Sequence, residues 1–366
     1  MIPKVCHVTT AHPALDTRIF FREAVSLAKA GYPVFLVGNH PYRESVEGVE
    51  IVPLTRSRDR FRRMAFAPWS ALGIAIKTGS RIFHLHDPEL LPVGLLLRTL
   101  GKQVVWDSHE DYPGLIRTKD WLPRSLRPLV ASQIGALERI AAHAFSCNIA
   151  PTDPLARRLP RGISLYNYPT MNMRRMLASF SLPYEKRDID MIHIGRLRKS
   201  RIDFILSMLE SLHSMGRAIR FAMVGLDHTQ LEAVRRAAGD WSDLLLYERK
   251  QFPVVAEMLG RSKIALNYHP LEPHLAYAVP VKIFEYLNAG CVVLCSHFPF
   301  LESLLGTDSP VEWADPEPEV FAQRAITLLK DPERMKTASI RSEDFAGSFT
   351  WEHEEPKLLE AYAKLK

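Results

Sequence analysis

A chain of 366 residues is long enough for two domains that each bury a full core, which excludes a disulfide-stapled mini-protein. Its 47% apolar and 24% charged residues are ordinary globular proportions and leave no room for a long disordered tract. The formal charge of +6 is uneven: residues 1–169 carry 22 Lys and Arg against 14 Asp and Glu, net +8, whereas residues 170–366 carry 25 against 27, net −2, so an anionic surface partner is expected for the front half and no nucleic acid.

Short apolar runs alternate with helical periodicity from the start, the pattern of a parallel sheet flanked by helices. In the front half, strands are predicted at residues 4–9, 32–37, 49–53, 82–85, 103–107, 144–147 and 164–166, with helices at 18–30, 62–79, 90–100 and 124–142. Gly31 ends the first helix where a left-handed cap is wanted. From 170 to 187 the periodicity dissolves into a polar, Met-rich link without a strand. The alternation restarts with strands at 190–194, 219–224, 244–247, 264–267 and 292–294 and helices at 204–214, 230–238, 254–261, 281–289 and 319–329. The fold class expected is α/β, two Rossmann-like α/β/α domains (1–169 and 188–350) facing across a cleft, with residues 351–366 forming a last helix.

Cys6, Cys147, Cys291 and Cys295 match neither a C-x-x-C pair nor zinc spacing and are read as buried thiols. The opening residues lack a basic segment followed by an apolar one, and the longest apolar run, 90–97, falls far short of the ~18 residues of a span. A cytoplasmic protein is expected.

In open α/β sheets the ligand sits beyond the carboxyl ends of the strands. No G-x-G-x-x-G follows the first strands of either half, and no P-loop occurs, so dinucleotide and NTPase readings lose support. After Ile194 the chain reads Gly195-Arg196-Leu197-Arg198-Lys199-Ser200-Arg201: either an anion site, with Arg196 and Arg201 forking onto phosphate oxygens, or a solvated basic turn. The stretch Pro280-Val281-Lys282-Ile283-Phe284-Glu285-Tyr286-Leu287-Asn288-Ala289-Gly290 reads as one short helix with Pro280 at its first position. Its amide end suits an anion, and Lys282 and Glu285 share a face, as a surface pair or as a cation beside a carboxylate for vicinal hydroxyls. In the front half the strand 103–107 leads to Ser108-His109-Glu110-Asp111; His109 either contacts a sugar hydroxyl, oriented by Glu110 and Asp111, or merely caps the next segment. His84 and His86 share a strand face but lack a third ligand of plausible spacing, so no metal is expected.

Taken together these residues resemble the retaining glycosyltransferases of family 4, which have the GT-B fold of two Rossmann-like domains. The segments are Asp16-Thr17-Arg18-Ile19-Phe20 with Glu23-Ala24, Leu85-His86-Asp87-Pro88, Asp107-x-His109-Glu110, Tyr166-Asn167, Ile194-Gly195-Arg196, Met223-Val224-Gly225, Pro280-x-Lys282-x-Phe284-Glu285-Tyr286-x-x-Ala289-Gly290, and Trp351-Glu352 with Leu358-Leu359-x-x-Tyr362. The resemblance implies transfer of a sugar, with retention, from a nucleotide-sugar donor to a glycan or lipid-linked acceptor in cell-surface glycoconjugate synthesis, without cofactor or metal. It implies His109, Arg196 and Arg201 as catalytic groups, the two arginines on the diphosphate. Gly195, Gly225, Tyr277, Pro280, Val281, Lys282 and Glu285 would surround the donor, Glu285 on the ribose. His12, Asp16, Arg18, Asp87 and Glu110 are the acceptor-side or loop candidates, and the last helix would cross back to the front domain. Two departures stand out: Tyr277 occupies the place of the first Glu of the family's E-x7-E pair, and Thr10-Ala11-His12-Pro13-Ala14-Leu15-Asp16 replaces a Gly-rich turn.

Arg56, Arg58, Arg60, Arg62 and Arg63 lie among Phe61, Phe66 and Trp69. Two readings stand: arginines on an anionic membrane surface with the aromatics in its interface, at the inner face of the membrane, or a helix with its aromatics in the core. A nucleotide-sugar epimerase of the same fold and a catalytically silent partner subunit of a transferase are the alternative functions.

Overall fold

A computed structural model describes residues 2–55, 59–239, 241, 243–270 and 272–365, with backbone alone at 60–63. Arg56 and Arg58 therefore lie outside the described residues. Two compact units are present: unit 1 comprises Met1–Asn167, Pro273–Val279 and Trp351–Lys366, and unit 2 comprises Tyr168–Glu272 and Pro280–Thr350.

Unit 1 runs β1 (Val5–Pro13), α1 (Val25–Lys29), β2 (Val34–Asn39), β3 (Glu44–Val46), β4 (Val49–Pro53), α2 (Arg60–Lys77), β5 (Ile82–Leu85), α3 (Leu91–Thr99), β6 (Gln103–Asp107), α4 (Tyr112–Arg117), α5 (Arg127–Ala144), β7 (Cys147–Ala150), α6 (Asp153–Ala156) and β8 (Gly162–Ser164). The eight strands order as β3-β4-β2-β1-β5-β6-β7-β8, parallel except for the β3–β4 pair. Alternation along the strands builds two cores: Val5, Leu36 and Ile82 belong to one, with Ile19 and Phe20; Cys6, Val8 and Phe83 belong to the other, with Leu72 of α2 and Leu91 of α3.

Unit 2 runs α7 (Met171–Phe180), β9 (Ile189–Ile194), α8 (Lys199–Ser214), β10 (Phe221–Leu226), α9 (His228–Ala238), β11 (Leu244–Glu248), α10 (Phe252–Gly260), β12 (Ser262–Asn267), α11 (Val281–Asn288), β13 (Val292–Ser296), α12 (Pro299–Leu305), β14 (Glu312–Ala314), α13 (Pro318–Leu329) and α14 (Pro332–Ala346). Its six strands are all parallel, in the order β11-β10-β9-β12-β13-β14. The last helix, α15 (Trp351–Ala363), belongs with unit 1, where the Trp351 indole donates to the Ser26 hydroxyl at 2.9 Å.

Three expectations need correction. Residues 18–30 are not one α-helix: Ile19–Ala24 is a π-helical turn, with N–H groups of Phe21 and Glu23 reaching the carbonyls of Asp16 (3.3 Å) and Arg18 (3.1 Å), before α1 begins. The strand placed at 144–147 begins at Cys147, because α5 runs on to Ala144. The link at 170–187 contains the ten-residue α7, started by the Thr170 hydroxyl accepting from the Met173 N–H at 3.3 Å.

Candidate functional site

Each unit gathers polar groups at the carboxyl ends of its strands. In unit 2, β9 ends at Ile194 and turns through Gly195 at φ +94°, while Gly225 interrupts the end of β10 at φ +111°. The Gly195 N–H donates to the Val224 carbonyl at 2.9 Å, and a Cβ at Gly225 would lie 2.6 Å from the Gly195 oxygen. Only glycine allows that approach.

The first turn of α11 abuts this crossing. Pro280 is its N-cap rather than its first helical residue, Val281 starts the helix half-buried, and no side chain caps the amides. The Lys282 ammonium donates to the Ile194 carbonyl at 2.8 Å. Burial, then the neighbouring Arg201 charge, push the Lys282 pKa down to about 7, with half-buried Glu285 pulling the other way. Arg201 lies in the first turn of α8, not in the preceding loop, and its guanidinium donates to Nδ1 of His269 at 3.1 Å. Burial and Arg198 lower its pKa as well. One turn beyond Lys282, the Tyr286 hydroxyl accepts from the Ile194 N–H (3.2 Å) and donates to the Leu266 carbonyl (3.4 Å), pinning α11 to β9 and β12. Arg196, by contrast, is exposed on the loop before α8, so Lys282 and Arg201 are the cations the fold brings together.

In unit 1 the hub is Asp107, fully buried at the end of β6. Arg18 grips it with two hydrogen bonds, Nε to Oδ2 at 3.0 Å and Nη2 to Oδ1 at 2.7 Å, and donates a third to the Leu165 carbonyl at 2.9 Å. Nε2 of His109 lies 2.9 Å from Asp107 Oδ2, and Nδ1 of His86 lies 3.2 Å from the same oxygen. Burial alone would raise the pKa of Asp107, but the charges of Arg18 and His109 hold it well below the carboxylate range. Asp107, not Glu110 or Asp111, is therefore the group that orients His109: Glu110 is exposed, and Asp111 caps α4 through the Gly114 N–H at 3.0 Å.

The other front candidates also differ from expectation. Arg18 and Asp87 are buried rather than loop groups open to an acceptor. Asp87 accepts from the Thr9 hydroxyl (2.8 Å) and from the N–H groups of Thr10 (2.7 Å) and Ala11 (3.2 Å), so a carboxylate fixes the loop that lacks glycines. Asp16 accepts from the N–H groups of Arg18 and Ile19, at 2.8 and 3.2 Å, and so opens the π-helical turn. His12 stands between Asp87 (3.5 Å) and Asp16 (3.8 Å), its ring 5.0 Å from that of His109. Burial opposes the His12 charge, but the Asp16 hydrogen bond and the charges of Asp87, Asp16 and Asp107 outweigh it and raise its pKa. Tyr277, expected among the donor-binding residues, belongs to the 273–279 segment of unit 1, where the Arg158 guanidinium lies 5.2 Å over its ring.

The sequence places Asp107 and Tyr286 in the motifs quoted above but assigns them no role, and His269 goes unnoticed. The signal for Tyr286 was its place four residues after Lys282 on one helix face. Two overlapping groups in unit 1 could hold a metal ion, His7 with Glu23, His84 and His86, and His86 with Asp107 and His109. The third candidate ligand beside His84 and His86, His7, comes from another strand.

Two Rossmann-like units with such strand-end clusters define a protein of the GT-B type. Solved structures share the fold: sucrose-phosphate synthase from Thermosynechococcus elongatus (TM-score 0.73, 15% identity, 99% of each chain covered), a glycosyltransferase from Rickettsia africae (0.72, 12%, 100% of this chain and 98% of that one), and Anabaena HepE in complex with UDP-glucose (0.70, 10%, 99% of each). Residues 17–166 match Glycosyltransferase Family 4 and residues 199–360 match a glycosyl transferase-like family. Glycosyltransferase families thus match both halves of the chain, family 4 in the front half, and the chain is a glycosyltransferase of the GT-B fold. No curated protein matches its sequence.

Proposed function

We propose that the chain is a retaining glycosyltransferase that takes its sugar from a nucleoside diphosphate donor held by unit 2. The observation that carries this reading is the half-buried pair of cations, Lys282 and Arg201, beside the glycine crossing and the uncapped amides of α11. Gly195 and Gly225 let the backbone approach the diphosphate, and Glu285 suits the vicinal hydroxyls of the ribose. As the bond from the anomeric carbon to the phosphate oxygen breaks, negative charge grows on the diphosphate, and Lys282, Arg201 and the α11 amides meet it there. These groups supply the charge that a divalent ion would otherwise bring to the leaving group. The acceptor hydroxyl forms the new bond on the face from which the diphosphate departs and gives its proton to the departing phosphate oxygen, so configuration is retained. In unit 1, His109 presents an imidazole fixed by Asp107 for a sugar hydroxyl, with His12 and Asp16 on the acceptor side.

Calorimetric titration with UDP, GDP and ADP tests the reading and identifies the base. Lys282→Met and Arg201→Ala are each expected to weaken binding of the preferred nucleotide by about tenfold or more, the scale of a lost charged hydrogen bond. Unchanged affinity in both variants refutes it. Donor incubated alone should hydrolyse slowly; an epimerised sugar would instead establish the epimerase.

The acceptor proposed is lipid-linked, reached at an anionic membrane surface in cell-surface glycoconjugate synthesis. Support comes from α2, whose Phe66 and Trp69 are 70% and 52% exposed and so do not face the core.

A further inference from the structure

We propose that His7, Glu23, His84 and His86 of unit 1 form a buried site for one divalent transition-metal ion, independent of the donor reading above. β1 and β5 run parallel with His7 opposite His84, and the two-residue period of a strand puts His86 on the same face. Glu23 arrives from the π-helical turn. All four side chains are fully buried, and one ligand atom from each lies within 4.8 Å of the others.

The cluster is under-satisfied in a way a cation would correct. His84 Nε2 and Glu23 Oε2 have no hydrogen-bond partner, and Glu23 Oε1 faces Arg18 Nε at 3.1 Å. Buried polar atoms in that condition are rare and costly. Nearby, one buried guanidinium serves two buried carboxylates: Arg18 pairs with Asp107 at 2.7 Å and stands 3.1 Å from Glu23. Nδ1 of His7 and Nε2 of His86 share a hydrogen bond at 3.0 Å, which an ion would replace: two donors on a tetrahedral ion with bonds of about 2.0–2.1 Å stand ~3.4 Å apart, so the rings need to separate only slightly to become ligands.

The surrounding hydrogen bonds orient the rings of His84 and His86. Nδ1 of His86 is held by Asp107 at 3.2 Å and Nδ1 of His84 by the Tyr362 hydroxyl of α15 at 2.8 Å, which leaves Nε2 of each ring toward the cluster. Metal-bound histidines are oriented in this manner. Three imidazoles and one carboxylate, with no thiolate, suit Zn2+. The alternative set of His86, Asp107 and His109 is disfavoured because Arg18 already occupies both Asp107 oxygens. The ion would act as a positioning group: on His86 Nε2 it fixes the Nδ1 proton toward Asp107, the carboxylate that His109 shares.

The test uses the full chain, stripped with chelator and titrated with ZnCl2 or CoCl2. One ion per chain is expected, with the intense visible absorption of four-coordinate cobalt. His7→Gln and His84→Gln should each weaken binding about a hundredfold, whereas His109→Asn should retain it. Absence of stoichiometric binding, the pale spectrum of six-coordinate cobalt, survival of binding in both glutamine variants, or its loss in His109→Asn overturns the assignment. Should the glutamine variants fail to fold, the stoichiometry and cobalt spectrum of the unmodified chain decide alone.

Discussion

Lys282 is charged at a cost in the free protein, and that cost gives its chemistry a pH signature. Burial and Arg201 hold its pKa near 7. A bound diphosphate favours the ammonium form and raises that pKa, so nucleotide affinity is complete below about pH 7 and is lost as pH climbs from there toward the bound-state value. UDP titrations between about pH 6 and 9 should show affinity falling up to about tenfold per unit. Lys282→Met should bind weakly with a flat profile, and a flat profile in the unmodified protein would sink the assignment. On stability the depressed value acts in the opposite sense: the contribution is complete above the ordinary lysine range and is lost as pH falls through about 7. Arg18 makes the second residue-scale prediction. Replacing it by Leu leaves Asp107 and Glu23 buried without their guanidinium, and the expected loss is about 3–5 kcal/mol in urea denaturation. Arg18→Lys should not rescue it, since one ammonium cannot reproduce the paired donors on Asp107 and the bond to Leu165.

The elements that sequence patterning located best are buried strands. The runs 82–85 and 103–107 coincide with β5 and β6, because strands covered on both faces read as short, mostly apolar segments, here Ile82-Phe83 with Leu85 and Val104-Val105-Trp106. What patterning could not supply is which residues meet across strands. His84 and His86 were legible as a pair, since their spacing is local; His7 was not, because its place opposite His84 is set by parallel register between segments 77 residues apart. Glu23 was hidden for a different reason. An α-helical wheel assigns no inward role to a residue carried by a π-helical turn. His109 was given sequence neighbours as partners, whereas its partner is the last residue of the preceding strand. The donor-side cluster was more legible, since Gly195, Lys282 and Glu285 announce themselves at strand and helix ends. The crossing of Gly195 and Gly225 yields an element-scale prediction. Gly225→Ala puts a methyl 2.6 Å from the Gly195 oxygen at a φ of +111°, a strain of about 1–3 kcal/mol that must move the β9 turn. UDP affinity should fall about tenfold while far-UV circular dichroism stays unchanged; full affinity would show that the turn does not shape the phosphate site.

At the scale of the whole chain, charge and exposed apolar surface point to the same segment. The net +8 of residues 1–169 includes five arginines between 56 and 63, and α2, which begins at Arg60, presents Phe66 and Trp69 to solvent. Among the described residues no helix is long and apolar enough to cross a membrane, so contact through α2 would be made at the surface. Each basic side chain near an anionic surface contributes about 1 kcal/mol, and the aromatics add burial that salt does not screen. The two contributions can be separated by experiment. The full chain should cosediment with phosphatidylglycerol vesicles and less so as salt rises, while phosphatidylcholine vesicles should leave it in the supernatant. Reversing Arg60, Arg62 and Arg63 to Glu should weaken binding by more than about a hundredfold, because three attractions become repulsions. Phe66→Ser with Trp69→Ser should weaken it by about tenfold or more and leave the salt dependence intact. Binding that ignores salt, or that survives the arginine reversals, would remove α2 as the docking element and leave its exposed aromatics facing something other than an anionic lipid surface.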